Sequence, residues 1–365
     1  MSAAPASDDI VATHAAAASS AREPLLVLEP LRAFLAAHDL VPADGGDLEA
    51  EPLGEGHSNV TFLLRCGARE LVLRRPPRGP LPPSAHDVLR EARLLRALEP
   101  TAARVPRVLA VGDDPAVIGA PFYVMQRIRG DVITTSVPAA LDTPPERRRI
   151  GEELVDALVE VHAVDWQACG LADFSSKPRS YLSRQLRRFG GLWEHNRTRE
   201  IAAVERVGAW LAEHVPASPA PTIVHGDYRL GNVMVAPGAP ARVAAVFDWE
   251  MATIGDPLAD VGYLSAMWMQ AGDPPLGMFE LSHVTRREGF PTRAELVARY
   301  ERLSGRAVGD IRWYRTLAIW KAVVFMEGNY RRALAGSTDD PWLHGFGEGV
   351  VALAERSERE ALGED

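Results

Sequence analysis

The segment "VHGDYRLGNVMV", residues 224–235, places a His, an Asp, an Arg and an Asn between two short apolar runs. Its last part, "NVMV", is followed by the linker "APGAP" and then by "ARVAAVF", which ends at residue 247. Gly and Pro in the linker favour a turn, so the two runs predict a short β-hairpin. This hairpin determines where the neighbouring polar side chains lie.

The predicted register of the hairpin brings three polar residues to one edge of a small sheet. Asn232 begins the first strand and Asp248 follows the second, so the two face each other almost directly across the ladder. Asp227 lies in the loop just before them. A carboxylate and an amide oxygen suit Mg²⁺, which takes few protein ligands, and Asp227 is then left to face an incoming hydroxyl. Taken alone, the loop is also compatible with two Asx turns and no ligand.

The composition is that of an ordinary globular chain, with 365 residues of which 47% are hydrophobic and 24% charged. This length favours two domains, each with its own core. The net charge of −9 argues against a nucleic-acid partner. No apolar run reaches the roughly 18 residues that a membrane-spanning helix needs, so no membrane association is expected. The oligomeric state cannot be inferred from these features.

The cysteines and the first residues bear on the cellular location. Cys66 and Cys169 are far apart in the sequence, which argues against a disulfide scaffold or a zinc site and favours a reducing cytoplasm. Residues 1–24 are rich in Ala and Ser and lack the basic and apolar regions of a signal peptide. We therefore expect a mobile leader before the folded part.

The remaining chain divides into two regions of different character. Residues 25–125 are rich in strand patterns, among them "NVTFLLRC" and "ELVLRR", which are joined by a tight turn at Gly67-Ala68. One helix pattern, "HDVLREARLLRAL", follows them. Residues 126–365 contain several long amphipathic helix patterns. The predicted fold class is α+β, with a small N-terminal lobe built on an antiparallel sheet and a larger, mostly helical C-terminal lobe.

The helix pattern in the first region carries a carboxylate on its apolar face. Glu91 shares that face with Val88 and Leu95. A carboxylate on a buried face needs a cationic partner, and Arg74 at the end of "ELVLRR" is the best candidate. Such a pair could hold a phosphate oxygen in fixed geometry. The alternative is that Glu91 lies at the edge of the apolar stripe and extends into solvent.

A glycine pair precedes the first strand of this region, in "LGEGHSN". Gly54 and Gly56 would let backbone N–H groups approach an anion closely, although most Gly-x-Gly pairs are simply turns. The chain contains no Walker-type GxxxxGK[ST] motif, which excludes a P-loop nucleotide hydrolase.

Together these motifs resemble a known family. "HGDYRLGN" and "FDWEMATIGDPLADVGYL" are similar to the catalytic loop and metal-binding segment of the aminoglycoside phosphotransferase and choline-kinase-like family. With "GEGHSN" and "VLRRPP", they resemble most the subgroup that includes the kinase-like domain preceding some acyl-CoA dehydrogenases. The resemblance covers about residues 45–335. It implies a bilobal protein-kinase-like fold and an ATP-dependent phosphotransferase that uses Mg²⁺.

The resemblance also implies roles for the matching positions. Asp227 would be the catalytic base or the group that orients the acceptor hydroxyl, and Arg229 would lie near the transferred phosphoryl group. Asn232 and Asp248 would bind Mg²⁺. Two further groups would hold the nucleotide: a loop over the phosphates formed by Gly54, Gly56, His57 and Ser58, and a hinge that meets adenine, formed by Met125, Gln126 and Ile128.

Arg74 departs from the family pattern, because the family usually has a nucleotide-binding Lys at this position, with Glu91 as its helix partner. A guanidinium is planar and larger than an ammonium group, so the nucleotide geometry changes and GTP stays an alternative donor.

In the same segment as Asp248, the carboxylates of Asp256 and Asp260 are expected to support the loop rather than to bind metal.

The acceptor is expected to be a small hydroxylated molecule, such as a hydroxy-acyl thioester, by resemblance to the subgroup. In the last long helix pattern, an apolar stripe is predicted to pack in the core: Trp313, Leu317, Trp320 and Val324. Candidates for lining the acceptor pocket are Lys321, Glu327, Asn329 and Arg331. The alternatives are an aminoglycoside-type antibiotic kinase, a regulatory pseudokinase that binds nucleotide, and a metal-dependent phosphohydrolase built on His225, Asp227 and Asp248.

Overall fold

The computed structural model describes residues 9–43, 46–54, 59–79, 86–275, 281–336 and 341–364. The chain forms two compact units. The first comprises the residues up to Thr101 together with Val105–Ile128, and the second comprises Ala102–Arg104 together with the residues from Arg129 onward. Sequence patterning places the boundary after residue 125, and the contacts place it after Ile128.

The first unit is built on a five-stranded sheet with the order β3-β4-β5-β7-β6, in which all neighbours are antiparallel. Its strands are β3 (Glu49–Pro52), β4 (Val60–Cys66), β5 (Arg69–Arg75), β6 (Val108–Gly112) and β7 (Phe122–Gln126). Gly67 adopts a φ of 57° between paired Cys66 and Arg69, which confirms the predicted turn. The helices are α2 (Leu28–Ala37), α3 (Val88–Leu98) and the short α4 (Pro115–Ile118).

Alternation along β5 decides which of two adjacent arginines reaches α3. Leu71, Leu73 and Arg75 point to the face that packs with α2, because Leu71 and Leu73 belong to the same buried cluster as Leu31 of that helix. Arg74 points to the opposite face, where it meets α3. Arg75 is 4% exposed, and its guanidinium donates to the Leu25 and Ile118 carbonyl oxygens.

The described part of the predicted leader contains two short secondary-structure elements. Strand β1 (Ile10–Val11) pairs in parallel with β2 (Leu26–Val27), and the short helix α1 spans His14–Ala18. Thr13 caps α1 by accepting a hydrogen bond from the Ala16 N–H. The high Ala and Ser content of this segment favours disorder. The two β-branched residues Ile10 and Val11 nevertheless form a short strand beside β2.

The second unit is mostly helical. Its helices are α5 (Pro144–His162), α6 (Tyr181–Asn196), α7 (Ala202–Glu213), α8 (Leu258–Met267), α9 (Arg293–Ser304), α10 (Arg312–Leu334) and α11 (Phe346–Leu362). Two small antiparallel ladders accompany them: β8 (Thr222–Val224) with β11 (Thr253–Gly255), and β9 (Val233–Val235) with β10 (Val243–Val246). Within the described ranges, no helix is both long and apolar enough to cross a membrane.

Helix α10 is the buried centre of the second unit, in contact with α6, α7, α8 and α11. Its predicted apolar stripe is buried, as expected for core packing: Trp313, Leu317, Trp320 and Val324. The indole N–H groups of the two tryptophans donate to the Leu211 and Val204 carbonyl oxygens of α7, at 3.1 and 3.0 Å. These bonds satisfy polar atoms that would otherwise be buried without a partner.

Candidate active site

The β9–β10 hairpin forms with the predicted register. Val233 pairs with Val246, and the Phe247 N–H donates to the Asn232 carbonyl oxygen at 2.9 Å. Asn232 therefore lies opposite the residue just before Asp248. The hairpin places these two side chains together because a tight connection forces the start of one strand beside the end of the other.

The Asn232 amide is oriented by Asp227. Its Nδ2 donates to Oδ2 of Asp227 at 2.7 Å and to the Asp227 carbonyl oxygen at 2.8 Å. Both partners are acceptors, so the amide nitrogen must face them and Oδ1 of Asn232 points away. In the part of the chain that the structure describes, this Oδ1 accepts no hydrogen bond. It is an oriented, unused oxygen beside a carboxylate.

Asp248 is held in an unusual backbone conformation. Its φ of 64° and ψ of 57° lie in the left-handed region, which few residues besides Gly adopt. The short helical turn Trp249–Met251 begins directly after it, and the buried Trp249 indole donates to the Val246 carbonyl oxygen at 2.9 Å. This strained turn projects the carboxylate from the end of β10, and strain of this kind is typical of functional positions.

Asp260, in the first turn of α8, supports the loop that begins at His225. It is fully buried, and its two carboxylate oxygens accept hydrogen bonds from the His225 and Gly226 N–H groups at 2.7 and 2.8 Å. Burial alone would raise the pKa of Asp260, but the His162 side chain and these N–H groups outweigh it and hold the pKa below its usual value. Asp260 is thus ionised and structural, as predicted.

His225 links the catalytic loop to the segment that carries Asp248. Its Nε2 donates to the Phe247 carbonyl oxygen at 2.8 Å, and its Nδ1 accepts from the Asp227 N–H at 3.2 Å. A neutral imidazole satisfies both bonds with one tautomer. Both ring nitrogens are therefore engaged within the protein, which leaves neither available as a metal ligand. Among the described residues, no group of three or more His, Cys, Asp or Glu could hold a metal ion.

Gly226 is required by the geometry of this loop. It adopts a φ of 88°, and a Cβ at this position would lie 2.9 Å from the Met251 carbonyl oxygen. Gly is therefore the residue that lets the loop pass close to the turn after Asp248.

Tyr263 belongs to the site, although the sequence analysis assigned it no role. It lies one turn after Asp260 on α8, and burial together with the nearby Asp227 carboxylate raises the pKa of its hydroxyl well above the usual value. The hydroxyl therefore stays protonated and can donate toward Asp227. Its position in the segment "DPLADVGYL" was the only sequence signal for this role.

Arg229 lies beside Asp227, with 3.7 Å between its Nε and Oδ1 of the carboxylate. Its guanidinium also covers Gly231, where a Cβ would lie 2.2 Å from the Arg229 Nη1. Both charged groups keep about a fifth to a quarter of their surface exposed, 21% for Arg229 and 26% for Asp227. They are accessible enough to meet a substrate.

In the first unit, the predicted pair between Arg74 and Glu91 is present. The Arg74 Nε donates to Oε2 of Glu91 at 3.0 Å, and the two side chains are 13% and 2% exposed. Glu91 lies on the buried face of α3 with Val88 and Leu95, so the alternative of a solvent-facing Glu91 is wrong.

The predicted nucleotide-binding loop and hinge are described only in part. Gly54 has a φ of 84°, as expected for a turn, whereas Gly56, His57 and Ser58 lie outside the described residues. In the hinge, Met125 is buried at the end of β7, and the Gln126 N–H donates to the Arg107 carbonyl oxygen at 2.9 Å. The Gln126 side chain is exposed, and Ile128 is half-buried.

The four candidate acceptor residues of α10 have different environments. Glu327 is fully buried and accepts from the N–H and hydroxyl of Thr198, so it has a structural role. Asn329 accepts from Arg332, and Arg331 donates to the His195 carbonyl oxygen. Lys321 alone of the four lines a small cavity next to Gly226 and Tyr263.

Comparison with known proteins gives the relatives of this chain. The family model described as "Phosphotransferase enzyme family" matches residues 49–314. The chain is 34% identical to acyl-CoA dehydrogenase family member 10 of Mus musculus, over 85% of this chain and 29% of that protein. It is 31% identical to acyl-CoA dehydrogenase family member 11 of Rattus norvegicus, over 87% of this chain and 41% of that protein. The chain thus spans less than half the length of these curated relatives.

Two solved structures show the same fold. A protein of Ralstonia eutropha, provisionally named an aminoglycoside phosphotransferase, is 32% identical with a TM-score of 0.76, over 92% of this chain and 98% of that one. The GDP complex of aminoglycoside 2'-phosphotransferase-IIIa has a TM-score of 0.61 at 15% identity, over 90% of this chain and 99% of that one. The predicted fold, α+β and protein-kinase-like, is confirmed.

Proposed function

This chain belongs to the phosphotransferase enzyme family, as its motifs predicted, and we propose that it transfers the γ-phosphoryl group of ATP to a hydroxyl of a small molecule. The observation that carries the proposal is the arrangement of Asp227, Asn232 and Asp248. One carboxylate orients an amide whose oxygen stays free, and a second carboxylate leaves a strained turn beside it.

In the proposed mechanism, Asp227 accepts a hydrogen bond from the acceptor hydroxyl and aligns it for in-line attack on the γ-phosphorus. Phosphoryl transfer has a loose transition state, so positioning and charge neutralisation supply most of the catalysis. The bonds from Asn232 and the nearby Tyr263 hydroxyl hold the Asp227 carboxylate in one orientation. Its proton-accepting oxygen therefore needs little reorganisation when the acceptor binds.

The residues present fit a magnesium ion. The Asn232 Oδ1 and the Asp248 carboxylate are hard oxygen donors, and Mg²⁺ at such a pair keeps several waters and neutralises phosphate charge. Two protein ligands are typical where substrate phosphates complete the coordination. This donor set supports Mg²⁺ as the metal.

Two arginines are proposed to bind the nucleotide phosphates. Arg74 is pre-oriented by Glu91, and its guanidinium would donate to the phosphates of ATP. Arg229 would contribute positive charge near the transferred group, because it lies next to Asp227. Gly54, Gly56, His57 and Ser58 are proposed to cover the phosphates, and Met125, Gln126 and Ile128 to contact adenine. GTP stays an alternative donor, because Arg replaces the Lys expected at position 74.

For the acceptor, we propose a hydroxylated metabolite such as a hydroxy-acyl thioester. The support is the similarity to proteins named acyl-CoA dehydrogenase family members. An aminoglycoside is the alternative acceptor, suggested by the name of the Ralstonia eutropha protein. A pseudokinase without turnover is the third alternative.

We also propose a cytoplasmic location, since both cysteines are free thiols.

The proposal is tested by screening a metabolite library for acceptor-dependent ATP consumption with Mg²⁺. We expect turnover with at least one hydroxylated acceptor, and Asp227→Asn is expected to lower kcat by more than about 10²-fold, the loss typical of removing one preorganised group. Asp113→Asn is the matched control, because this exposed Asp lies in the first unit. Near-wild-type turnover in Asp227→Asn would disprove its role, and Mg–ATP binding without any turnover would favour the pseudokinase.

A further inference from the structure

A cavity of about 650 Å³ on the second unit has no part in the proposed mechanism. Small-molecule sites in proteins commonly have volumes of this order. The loop between α5 and α6 forms most of its wall, and the residue just before β8 completes it. Apolar and positively charged side chains line the cavity, and no acidic residue takes part. The cavity therefore has the size and the charge to hold an anionic small molecule.

The apolar part of the wall is held in a fixed orientation. Trp166 is half-buried, and its indole N–H donates to the Pro221 carbonyl oxygen at 3.2 Å. Pro178 also lines the cavity, and it begins the short helical turn Pro178–Ser180. An indole and two proline rings have little conformational freedom to lose when a ligand binds. A flat apolar group can therefore pack against them at a low entropic cost.

Lys177 and Arg179 form the charged part of the wall. Both side chains are exposed, and in the part of the chain that the structure describes neither forms an ion pair. They belong to the stretch "KPRSYLSRQLRR", residues 177–188, which contains one Lys, four Arg and no acidic residue. The whole chain has a net charge of −9, so this stretch is locally of opposite sign. A positive potential at the cavity attracts an anionic ligand.

A further cation lies behind the cavity wall. Arg306 is half-buried, and its Nη1 donates to the carbonyl oxygen of Ala220, the residue before Pro221, at 3.5 Å. Its Nη2 donates to the His162 carbonyl oxygen at 3.2 Å. Among the described residues, no carboxylate pairs with Arg306. Its hydrogen bonds go to neutral groups, so its charge adds to the positive potential at the cavity.

The cavity is separate from the residues proposed to transfer the phosphoryl group. Pro221 precedes β8 and His225 follows it, so four residues of extended chain, about 13 Å, separate the cavity wall from the loop that carries Asp227. None of the lining residues is among those assigned to ATP, Mg²⁺ or the acceptor. A ligand in the cavity is therefore a second small molecule and not the reacting acceptor.

We propose that this cavity binds an organic phosphate, whose apolar part packs against Trp166 and whose phosphate group is held by Lys177 and Arg179. Two cations without a counter-ion match the charge of a phosphate ester, close to −2 at neutral pH, better than the single charge of a carboxylate. Arg binds phosphate oxygens in a bidentate manner, and Lys acts as a point charge. The inference does not depend on the proposed phosphotransferase function, because it concerns binding and not turnover.

Calorimetry on the whole chain tests the inference with four probes: 1-naphthyl phosphate, 1-naphthoate, 1-naphthylmethanol and inorganic phosphate. Mg²⁺ and a saturating non-hydrolysable ATP analogue are present, so that the probes do not enter the proposed nucleotide site. We expect 1-naphthyl phosphate to bind about tenfold or more tightly than the neutral alcohol and than inorganic phosphate, because each of these lacks one of the two contacts. The carboxylate should bind more weakly than the phosphate ester.

Variants assign the binding to this cavity. The double variant Lys177→Gln with Arg179→Gln should weaken binding of 1-naphthyl phosphate by about tenfold or more and leave that of the neutral alcohol unchanged. Trp166→Leu should weaken binding of both. Arg242→Gln with Arg302→Gln is the matched control, because it removes two positive charges from exposed positions outside the cavity. Thermal melting of each variant shows whether it is folded.

Three results would overturn the inference: 1-naphthyl phosphate does not bind, the double variant weakens it no more than the control does, or 1-naphthoate binds more tightly. A peptide of ten glutamates is the last probe. If it binds through Lys177 and Arg179 while 1-naphthyl phosphate does not, the surface belongs to a protein partner and the inference is wrong. Failure of the proposed function is a separate result, seen as absent turnover in the acceptor screen, and it leaves these binding results unchanged.

Discussion

At the scale of single residues, two adjacent arginines show how position decides role. Arg74 and Arg75 share one dipeptide, yet alternation along β5 sends them to opposite faces of the sheet. Arg75 is buried against carbonyl oxygens, and burial lowers its pKa to about 10. Arg74 pairs with Glu91 and stays partly exposed. Only Arg74 combines a fixed orientation with access to a ligand.

The pair of Arg74 and Glu91 allows stability and nucleotide binding to be separated. Glu91→Gln removes the ion pair from a buried position and should lower the free energy of unfolding by about 3 kcal/mol. The double variant Arg74→Met with Glu91→Leu should recover much of this stability, because no unpaired charge is left. Its KM for ATP should nevertheless stay raised. Thermal melting and ATP titrations measure the two effects, and Arg74→Lys serves as the conservative control. A normal KM for ATP in the double variant would contradict phosphate binding by Arg74.

At the scale of elements, α8 connects the core to the loop that carries Asp227. Asp260 in its first turn accepts hydrogen bonds from the His225 and Gly226 N–H groups, while α10 packs against the same helix. The neighbouring Asp256 accepts from the Leu258 N–H at 2.9 Å and from the Tyr314 hydroxyl of α10 at 2.9 Å. The loop is therefore positioned by two helices that are rigid because they are buried.

Helix α9 provides a prediction on acid stability through its capping box. The Thr292 N–H and hydroxyl and the Arg148 guanidinium donate to Glu295 and lower its pKa from 4.5 to about 2. Because the folded-state pKa lies below that of the unfolded chain, this contribution to stability is full above pH 4.5 and is lost as the pH falls toward 2. Glu295→Gln should therefore flatten the fall of the melting temperature in this range. Glu213→Gln, an exposed position on α7, is the control. If the melting temperature of Glu295→Gln falls with decreasing pH as steeply as that of the wild type, the contribution assigned to Glu295 is wrong.

At the scale of the whole molecule, the proposed reaction would use groups from both units. The first contains the Arg74–Glu91 pair, and the second contains Asp227, Asn232 and Asp248. Each unit has its own buried core, so each can hold its groups in place independently.

Binding of Mg–ATP should stabilise the whole chain by mass action. At a free Mg–ATP concentration of about 100 times Kd, binding should raise the free energy of unfolding by about 2.7 kcal/mol and raise the melting temperature. Asp248→Asn should need a higher Mg²⁺ concentration for the same shift, because it removes a charged ligand. A thermal scan with ATP and a chelator gives the baseline. An identical Mg²⁺ dependence in wild type and Asp248→Asn would exclude Asp248 as a metal ligand.

Much of the fold and of the site follows from local patterns. The hairpin that unites Asn232 with Asp248 depends on a turn linker and two short apolar runs, and both are visible in the sequence. The pairing of Glu91 with Arg74 follows from a carboxylate on an apolar helix face. The parallel pairing of β1 with β2 is not visible in local patterns, because it depends on a contact between separate segments of the chain.

The sequence by itself determined the family, the fold class and the convergence of Asp227, Asn232 and Asp248, because hairpin register and helical period are local properties of the chain. The tertiary structure alone decided that both nitrogens of His225 are engaged and that Tyr263 approaches Asp227. It also decided that Lys321 and Arg188 share Phe189. The contacts of His225 with Phe247, of Tyr263 with Asp227 and of Lys321 with Phe189 join residues far apart in sequence, and they depend on tertiary packing, which no local pattern encodes.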